Sequence, residues 1–375
     1  MTLRRCFHRS SATAAFVAAA ALLTSCSVDS DAARLAAQPV ATEQVPSSVP
    51  SSTTAPTTTL APTTTLAPTT TAAPTTTTPP PPIMQLTGLA ATDPLHVVRR
   101  ALVVKIDNHP QARPQFGLNA ADIVFEENVE GLTRFAAVFH STDAERVGPI
   151  RSARTQDVML LGGLNQPLFA WSGGNAGTTA ALRESDLVDV GPYAVEGSVY
   201  YRERRGNESV EHTLYSSTPR LWSQGPEGLS PPPPQFEYRT QGEAAPGQVS
   251  PGVDVAMDGV AVRWLWDDTS QSYLRFQGGR EHRDATLGQV SAANVVVLEV
   301  DYRPSPADEK SPEAQTVGRG TAWIFSGGTL VNGSWQRADR RAPFTLLDGE
   351  GRTIRLTPGR TWVELARVGR VAPLL

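Results

Sequence analysis

The chain has 375 residues, 19% of which are charged, and its formal net charge is −4. This mildly acidic balance argues against a nucleic-acid-binding protein, because such proteins carry a basic surface. Its two cysteines, Cys6 and Cys26, both lie near the N-terminus. The rest of the chain therefore has no disulfide framework and no cysteine-based zinc site.

Residues 1–25 have the pattern of an export signal. Three arginines precede an uncharged apolar run from residue 14 to residue 23, which is shorter than the roughly 20 residues that span a bilayer. The following Leu22-Leu-Thr-Ser-Cys26 resembles the bacterial lipobox, in which a cysteine receives lipid. We predict a lipoprotein signal peptide, lipidation (palmitate) at Cys26, and anchoring at the extracytoplasmic face of the cell membrane. The alternative is a secretory signal cut nearby, which would leave Cys26 as an incidental free thiol.

Residues 26–82 predict a disordered tether. Positions 53–82 hold 15 Thr and 8 Pro, with TTTLAP repeated at 57–62 and 63–68. A segment of this composition cannot bury enough apolar area to offset its chain entropy, so it stays extended. The tether would hold the folded part of the protein away from the membrane.

Residues 83–225, here called the N-terminal segment, predict an α/β fold. Strand-like runs alternate with helical spacing, which is typical of a mixed α+β layer structure, and we expect a layered ββα-type sandwich. The predicted strands are 101–107, 121–126, 133–139 and 167–171, and the predicted helices are 152–164 and a short one ending near 182.

A Pro-rich linker at 226–234 separates this segment from residues 235–375, here called the C-terminal segment. Short alternating strands separated by Gly-Gly, Asn-Gly and Asp-Gly turns predict a second, mainly antiparallel β domain. His282 and Asp284 are interpreted as polar contacts at the interface between the two segments. The predicted strands are 260–266, 272–276, 294–300, 320–325 and 361–365.

Several motifs occur in a fixed order along the chain. They are Val104-Lys-Ile-Asp-Asn-His109, Ala112-Arg-Pro-Gln-Phe-Gly-Leu118, Ala121-Asp-Ile-Val-Phe-Glu-Glu127, Val129-Glu-Gly131, Thr133-Arg-Phe135 and Gly148-Pro-Ile-Arg-Ser-Ala-Arg154. Together they resemble the YerB-like family of bacterial lipoproteins, a family of unknown function, over about residues 83–375. The resemblance implies a lipid-anchored extracytoplasmic protein with two domains, and it brings no catalytic residue.

Polar residues concentrate where the N-terminal segment has strand ends and helix starts, which is where α/β folds place binding sites. Arg151 and Arg154 are expected to share one face of a helix's first turn, where the positive dipole end favours an anion. We predict binding of an anionic cell-wall component or of an envelope protein. The candidate ligand-binding residues are Asp107, Asn108, Arg113, Gln115, Glu126, Glu130, Arg134, Arg151, Ser152, Arg154 and Asn175.

Three other interpretations stay open. The carboxylates Glu126 and Glu130, with Asp107 or Asp122, are candidates for an internal ion-pair network with the arginines, which would fix the fold and bind nothing. Its cations would be Arg134, Arg151 and Arg154. Glu126 and Glu130 would also serve a cell-wall glycan hydrolase or transferase as acid and base. An assembly scaffold would need neither role. The histidines lack metal-ligand spacing, so we predict no metal site and no cofactor.

Overall fold

The computed structural model describes residues 80–375, which lie in one compact unit, residues 75–375. Cys26, the predicted signal peptide and all but the last residues of the predicted tether fall outside the described range. Within that range 23 strands stand against three α-helices, so the fold is mainly β. The expectation of a mixed fold is confirmed only in this coarser sense, because helices are few.

The N-terminal segment contributes three α-helices and seven strands. The strands are β1 (Leu102–Asp107), β2 (Ile123–Val129), β3 (Leu132–Phe139), β4 (Leu168–Ala170), β5 (Val188–Asp189), β6 (Tyr201–Arg202) and β7 (Leu214–Tyr215). The α-helices are α1 (Thr155–Leu161), α2 (Ala176–Arg183) and α3 (Thr218–Trp222). Single-turn 3₁₀ helices cover Pro94–Val98, Pro110–Ala112, Gly162–Leu164 and Val210–His212.

All other strands belong to the C-terminal segment. The first eight are β8 (Gln248–Val249), β9 (Gly252–Met257), β10 (Val260–Asp267), β11 (Ser272–Gln277), β12 (Arg280–Glu281), β13 (Arg283–Asp284), β14 (Gly288–Gln289) and β15 (Ser291–Ala292). The remaining eight are β16 (Asn294–Val300), β17 (Tyr302–Ser305), β18 (Asp308–Ala314), β19 (Gly318–Ser326), β20 (Thr329–Arg337), β21 (Thr345–Leu347), β22 (Thr361–Arg367) and β23 (Val371–Leu374).

One large sheet joins the two segments. Its 11 strands run in the order β21-β20-β19-β16-β22-β2-β3-β1-β4-β5, with β8 added beside β20. The junction is the parallel pair β2–β22, in which Glu126 lies opposite Glu364. A second, six-stranded sheet has the order β12-β11-β10-β9-β23, with β15 beside β11. Because the two segments share a sheet, side chains from both segments meet in its interior. The boundaries of the linker at 226–234 stay a prediction.

The large sheet is covered on both faces. Successive residues of a strand point to opposite sides, and β1 follows this rule. Leu102 and Val104 pack in one apolar cluster with Trp264 of β10, in the second sheet. Val103 packs in another cluster with Leu160 of α1. Each large apolar side chain buried in this way contributes about 1.5–3 kcal/mol, so helices and second sheet hold β1 rigidly from both sides.

The hairpin between β2 and β3 leads directly to the candidate site. Val129 pairs with Leu132, which leaves Glu130 and Gly131 as the two turn residues. Gly131 has a φ of 71°, a conformation that costs glycine little. The turn places the Glu130 side chain at the sheet edge, beside the end of β1.

Within residues 80–375 the structure contains no helix with the length and apolar character needed to cross a membrane.

Candidate anion-binding site

A group of charged side chains gathers at the end of β1 and in the loop before α1. We call this group the arginine face; its members are Asp107, His109, Glu130, Arg134, Arg151, Arg154 and His212. Asp107, the last residue of β1, lies directly opposite Arg134 on β3. The antiparallel register therefore places a carboxylate beside a guanidinium at the edge of the sheet.

Asp107 is the centre of the arginine face and is only 3% exposed. Its Oδ2 atom accepts a hydrogen bond from Nδ1 of His212 at 2.6 Å and lies 3.6 Å from Nε of Arg151. Its Oδ1 atom accepts from the backbone N–H of His109 at 3.0 Å. The His109 and His212 rings stack, with centroids 4.3 Å apart. One carboxylate thus contacts the imidazole of His212, the backbone of His109 and the guanidinium of Arg151.

Arg134 differs from the other two arginines of the arginine face, because each of those has a carboxylate within 4.0 Å. The residue is 8% exposed, and its Nη1 atom donates to the carbonyl oxygen of Ser152 at 2.9 Å. Across the described residues, no carboxylate oxygen lies within 4.0 Å of its guanidinium nitrogens. Burial lowers the pKa of Arg134 to about 10; repulsion from Arg154 and Arg151 adds to the effect, and attraction to Asp107 and Glu130 opposes it. Its remaining donors are suited to an external anion.

Arg154 has an internal partner. Its Nε and Nη2 atoms donate to the two carboxylate oxygens of Glu130 at 2.9 Å and 2.6 Å. Burial alone would raise the pKa of Glu130, but hydrogen bonds from Arg154, Ser311 and the backbone, together with the charge of Arg154, outweigh burial and lower that pKa to about 2. For this arginine the structure shows the internal ion pair that the sequence left as an alternative.

The expected helical setting of Arg151 and Arg154 is wrong. The helix α1 begins at Thr155, not at 152, and Arg154 is its extended N-cap residue. The backbone N–H of Arg154 donates to Oδ2 of Asp157 at 2.7 Å. Before it, the N–H of Arg151 donates to the carbonyl of Lys105. Because the loop pairs with β1 as extended chain, the two arginines share a sheet edge and not a helical turn.

A closed ionic site lies directly beneath the arginine face. Lys105 is fully buried; its Nζ contacts Glu127 and lies 2.7 Å from Oδ1 of Asp157. Burial lowers the pKa of Lys105 to about 8, against the opposing effect of Asp157, and Arg134 and Arg154 lower it further. At this buried site the one ammonium group has two carboxylate partners inside the protein, whereas the arginine face above it has more cations than carboxylates.

Glu126 faces the other side of the sheet and does not join the arginine face. It is fully buried and pairs with Arg275 of β11, Oε2 to Nη2, at 2.6 Å. Thr133 and Trp362 also donate to its carboxylate, at 2.7 Å and 3.2 Å. The predicted alternative partners, Arg134 and Arg151, are not its partners.

Glu364 completes a buried carboxyl pair with Glu126. Burial first, and then the charge of Glu126, raise the pKa of Glu364 well above its usual range. Trp264 donates to its Oε1 atom at 2.9 Å. The pair therefore holds one proton and one negative charge, and Arg275 balances that charge.

Three predicted ligand residues surround this buried site. Asn108 and Gln115 are fully buried, while Arg113 is partly exposed and donates from Nε to Oδ1 of Asn108 at 3.1 Å. Nε2 of His282 donates to the amide oxygen Oε1 of Gln115 at 2.8 Å. Asp284 accepts from the backbone N–H of Asn119 at 3.2 Å, so the predicted interface contacts of His282 and Asp284 are confirmed.

The last two predicted ligand residues have structural partners. Ser152 Oγ donates to the carbonyl of Ser172 at 3.2 Å. Asn175 caps α2 by accepting from the N–H of Thr178 at 2.8 Å, and it donates to the carbonyl of Ala307 at 3.2 Å. Ser152 lies in the loop that carries the arginines and Asn175 caps α2, and the polar groups of both side chains are already engaged.

The structure adds two residues that the sequence interpretation left out, His109 and His212. His109 stands inside a quoted motif, two residues after Asp107, so its position was a usable signal. His212 lies 105 residues from Asp107, and no local pattern marks it. Within residues 80–375 no group of three or more His, Cys, Asp or Glu side chains is arranged to hold a metal ion.

Comparison with known proteins places this geometry in a family. Residues 86–228 match the N-terminal domain, and residues 253–363 the C-terminal domain, of a family described as "Protein of unknown function (DUF3048)". The chain belongs to this family. It is 28% identical over 289 residues to YerB of Bacillus subtilis (strain 168), which is named as a candidate lipoprotein; the match covers 75% of this chain and 85% of YerB.

A crystal structure of Bacillus subtilis YerB shares the fold. The superposition has a TM-score of 0.68 at 24% sequence identity and covers 78% of this chain and 99% of that structure. The resemblance to the YerB-like family is thereby confirmed. The family description assigns no activity, so the chemistry of the site has to supply the functional argument.

Proposed function

We propose that this chain is a lipid-anchored protein of the cell envelope whose arginine face binds an anionic group of a cell-wall component or of an envelope protein. In this proposal Arg134 and Arg151 hold the anion, and the protein acts as a binding or scaffold module without a reaction of its own. The acyl chain on Cys26 attaches it to the outer face of the cell membrane. The tether of residues 26–82 gives the folded part its reach.

The observation that supports the binding proposal is that Arg134 is buried and, among the described residues, has no carboxylate within ion-pair distance. A guanidinium that is nine-tenths buried normally has a carboxylate partner, since an unpaired buried charge is costly. Arg134 instead has one carbonyl acceptor; Asp107 and Glu130 attract it from beyond ion-pair distance, while Arg154 and Arg151 repel it. An anion that binds there would gain charge-assisted hydrogen bonds and relieve the repulsion among the arginines.

Glu126 bears on the hydrolase alternative. A glycosidase needs two carboxyl groups that face each other across the sugar. Glu126 is fully buried against Arg275, whereas Glu130 is bound to Arg154. Among the described residues, nothing in this arrangement favours the hydrolase over the binding module.

Retention on purified cell-wall material tests the binding proposal. The full-length protein in detergent is compared with Arg134→Gln and with Arg151→Gln, and thermal denaturation checks that each variant is folded. The matched control is Arg263→Gln, because Arg263 is an exposed arginine paired with Asp254, far from the site in sequence. Both site variants should lose retention at least about tenfold, since each removes a charge-assisted contact. Equal retention of folded variants and control would refute the proposal.

Mass spectrometry of the mature protein tests the anchor. The proposal requires an N-terminal peptide that begins at Cys26 and carries an acyl mass. A mature protein recovered unmodified from the culture fluid would contradict the anchor and leave the binding site untouched.

A further inference from the structure

The two histidines of the arginine face are held in opposite tautomers. Nδ1 of His212 lies 2.6 Å from the Asp107 carboxylate, and a carboxylate only accepts hydrogen bonds, so Nδ1 carries the proton. A neutral His212 therefore presents a lone pair at Nε2. Nδ1 of His109 accepts from the backbone N–H of Gln111 at 3.2 Å, so its proton sits on Nε2.

The surroundings keep His109 in this neutral form. Burial lowers its pKa, and the nearby Arg151 and Arg113 lower it further, while Asp107 opposes them. His109 is half-buried, and its ring is stacked on His212 with an interplanar angle of 7°. The stacked pair therefore combines one hydrogen-bond donor with one acceptor in a fixed geometry.

Neither Nε2 atom has a hydrogen-bond partner among residues 80–375. Donor and acceptor together match a hydroxyl group, which both donates and accepts. Oδ2 of Asp107 bridges the pair to Arg151, because that oxygen contacts both His212 and Arg151. Arg134 lies opposite Asp107 in the sheet. A hydroxyl-binding group thus adjoins two guanidiniums with open donors.

We propose that the arginine face recognises a polyol phosphate, with the phosphate on Arg134 and Arg151 and a neighbouring hydroxyl on His109 and His212. This inference rests on the proposed function and names the chemistry of its ligand. A phosphate offers more acceptor oxygens than a carboxylate, so it suits two guanidiniums that approach from different elements, Arg134 from β3 and Arg151 from the loop before α1. A phosphate without hydroxyls would use only half of the site.

Calorimetric titration of the full-length protein in detergent tests the inference with two matched probes, glycerol 1-phosphate and propyl phosphate. The probes have equal carbon counts and differ in the hydroxyls. Glycerol 1-phosphate should bind about 3–10 times more tightly, which is the value of a net hydrogen bond. His212→Asn should abolish this preference, because the Asn amide can replace Nδ1 at Asp107 but has no counterpart of Nε2.

The outcomes separate the inference from the proposed function. The control is His96→Asn, since His96 contacts the carbonyl of Ser141 outside the arginine face; it should keep the preference. Equal binding of both probes to the wild type would overturn the inference and leave the anion site standing. Binding of neither probe would overturn both. Arg134→Gln should weaken both probes alike.

A polyol phosphate occurs both in lipid headgroups and in wall polymers, and sedimentation distinguishes these sources. The full chain with Cys26→Ser, which has no acyl acceptor, is spun with phosphatidylglycerol vesicles or with purified wall material. Retention on vesicles supports a headgroup, and retention on wall material supports a polymer. Retention on neither would overturn an envelope source for the ligand.

Discussion

The buried site around Glu126 and the arginine face use the same residue types in opposite ways. At Glu126 every charge has a partner inside the protein, and Arg275 and Glu126 are both fully buried. At the arginine face, Arg134 is nearly as deep but has no carboxylate within ion-pair distance among the described residues. The comparison shows that burial of a charge alone does not mark function. A structural ion pair is distinguished from a binding site by whether each buried cation has a carboxylate partner within the protein.

The largest effect is expected at the buried site around Glu126. Arg275→Leu leaves the Glu126 charge buried beside Glu364 without its cation, a change that typically costs about 3–5 kcal/mol. Because Arg275 joins β11 of the second sheet to β2 of the large sheet, both should unfold together at lower denaturant. Urea unfolding followed by tryptophan fluorescence measures this. Arg263→Leu, at the exposed pair with Asp254, is the control; a similar midpoint for the two variants would contradict the account.

The second prediction concerns pH. The pKa of Glu364 is raised from its usual 4.5, so the folded protein keeps this proton to a higher pH than the unfolded chain. Its contribution to stability is complete below pH 4.5 and is lost as pH rises through the raised pKa, at about 1.4 kcal/mol for each unit between the two values. Glu364→Gln keeps a donor towards Glu126 and cannot ionise.

Glu364→Gln should therefore be more stable than the wild type at pH 8, and the difference should shrink towards pH 5. Thermal denaturation at a series of pH values measures it. A constant difference across this range would show that Glu364 is ionised in the folded protein. It would contradict the statement that every charge at the buried site around Glu126 has a partner.

A smaller effect is expected at the edge of the arginine face. Arg154→Gln removes the paired hydrogen bonds to Glu130, whose side chain is 36% exposed. Water screens this pair, so the free energy of unfolding should fall by about 1 kcal/mol or less. The loss should also decrease when salt is added. A salt-independent loss as large as that of Arg275→Leu would place Arg154 in a structural network.

Much of the sheet could be predicted from local sequence. The strand-like runs 101–107, 133–139 and 294–300 match β1, β3 and β16 within one residue, because Val, Ile, Leu and Phe pack well on a pleated surface. The strand β18, Asp308–Ala314, has the sequence DEKSPEA and no such signal. Its pairing with β17 comes from tertiary context.

The candidate site was predicted only in part, for the same reason. Local sequence places Asp107, Arg134 and Arg151 near strand ends, and the structure brings these three together. Local sequence gives no hint that Glu126 pairs with Arg275, which is 149 residues away. Nor does it show that Arg154 would act as a cap residue in an extended loop, since Asp157 and Lys105 decide that conformation jointly. Partners that are distant in sequence determine which polar side chains are paired inside the protein and which can contact a ligand.

The free energy of unfolding of Arg134→Gln, measured by urea denaturation without ligand, tests the central claim most directly. The account predicts a change within about 1 kcal/mol, because Arg134 has one carbonyl hydrogen bond to lose, and the lost attraction to Asp107 and Glu130 is offset by the relieved repulsion from Arg154 and Arg151. A loss of about 3–5 kcal/mol, as expected for Arg275→Leu, would contradict the account and make Arg134 a structural residue.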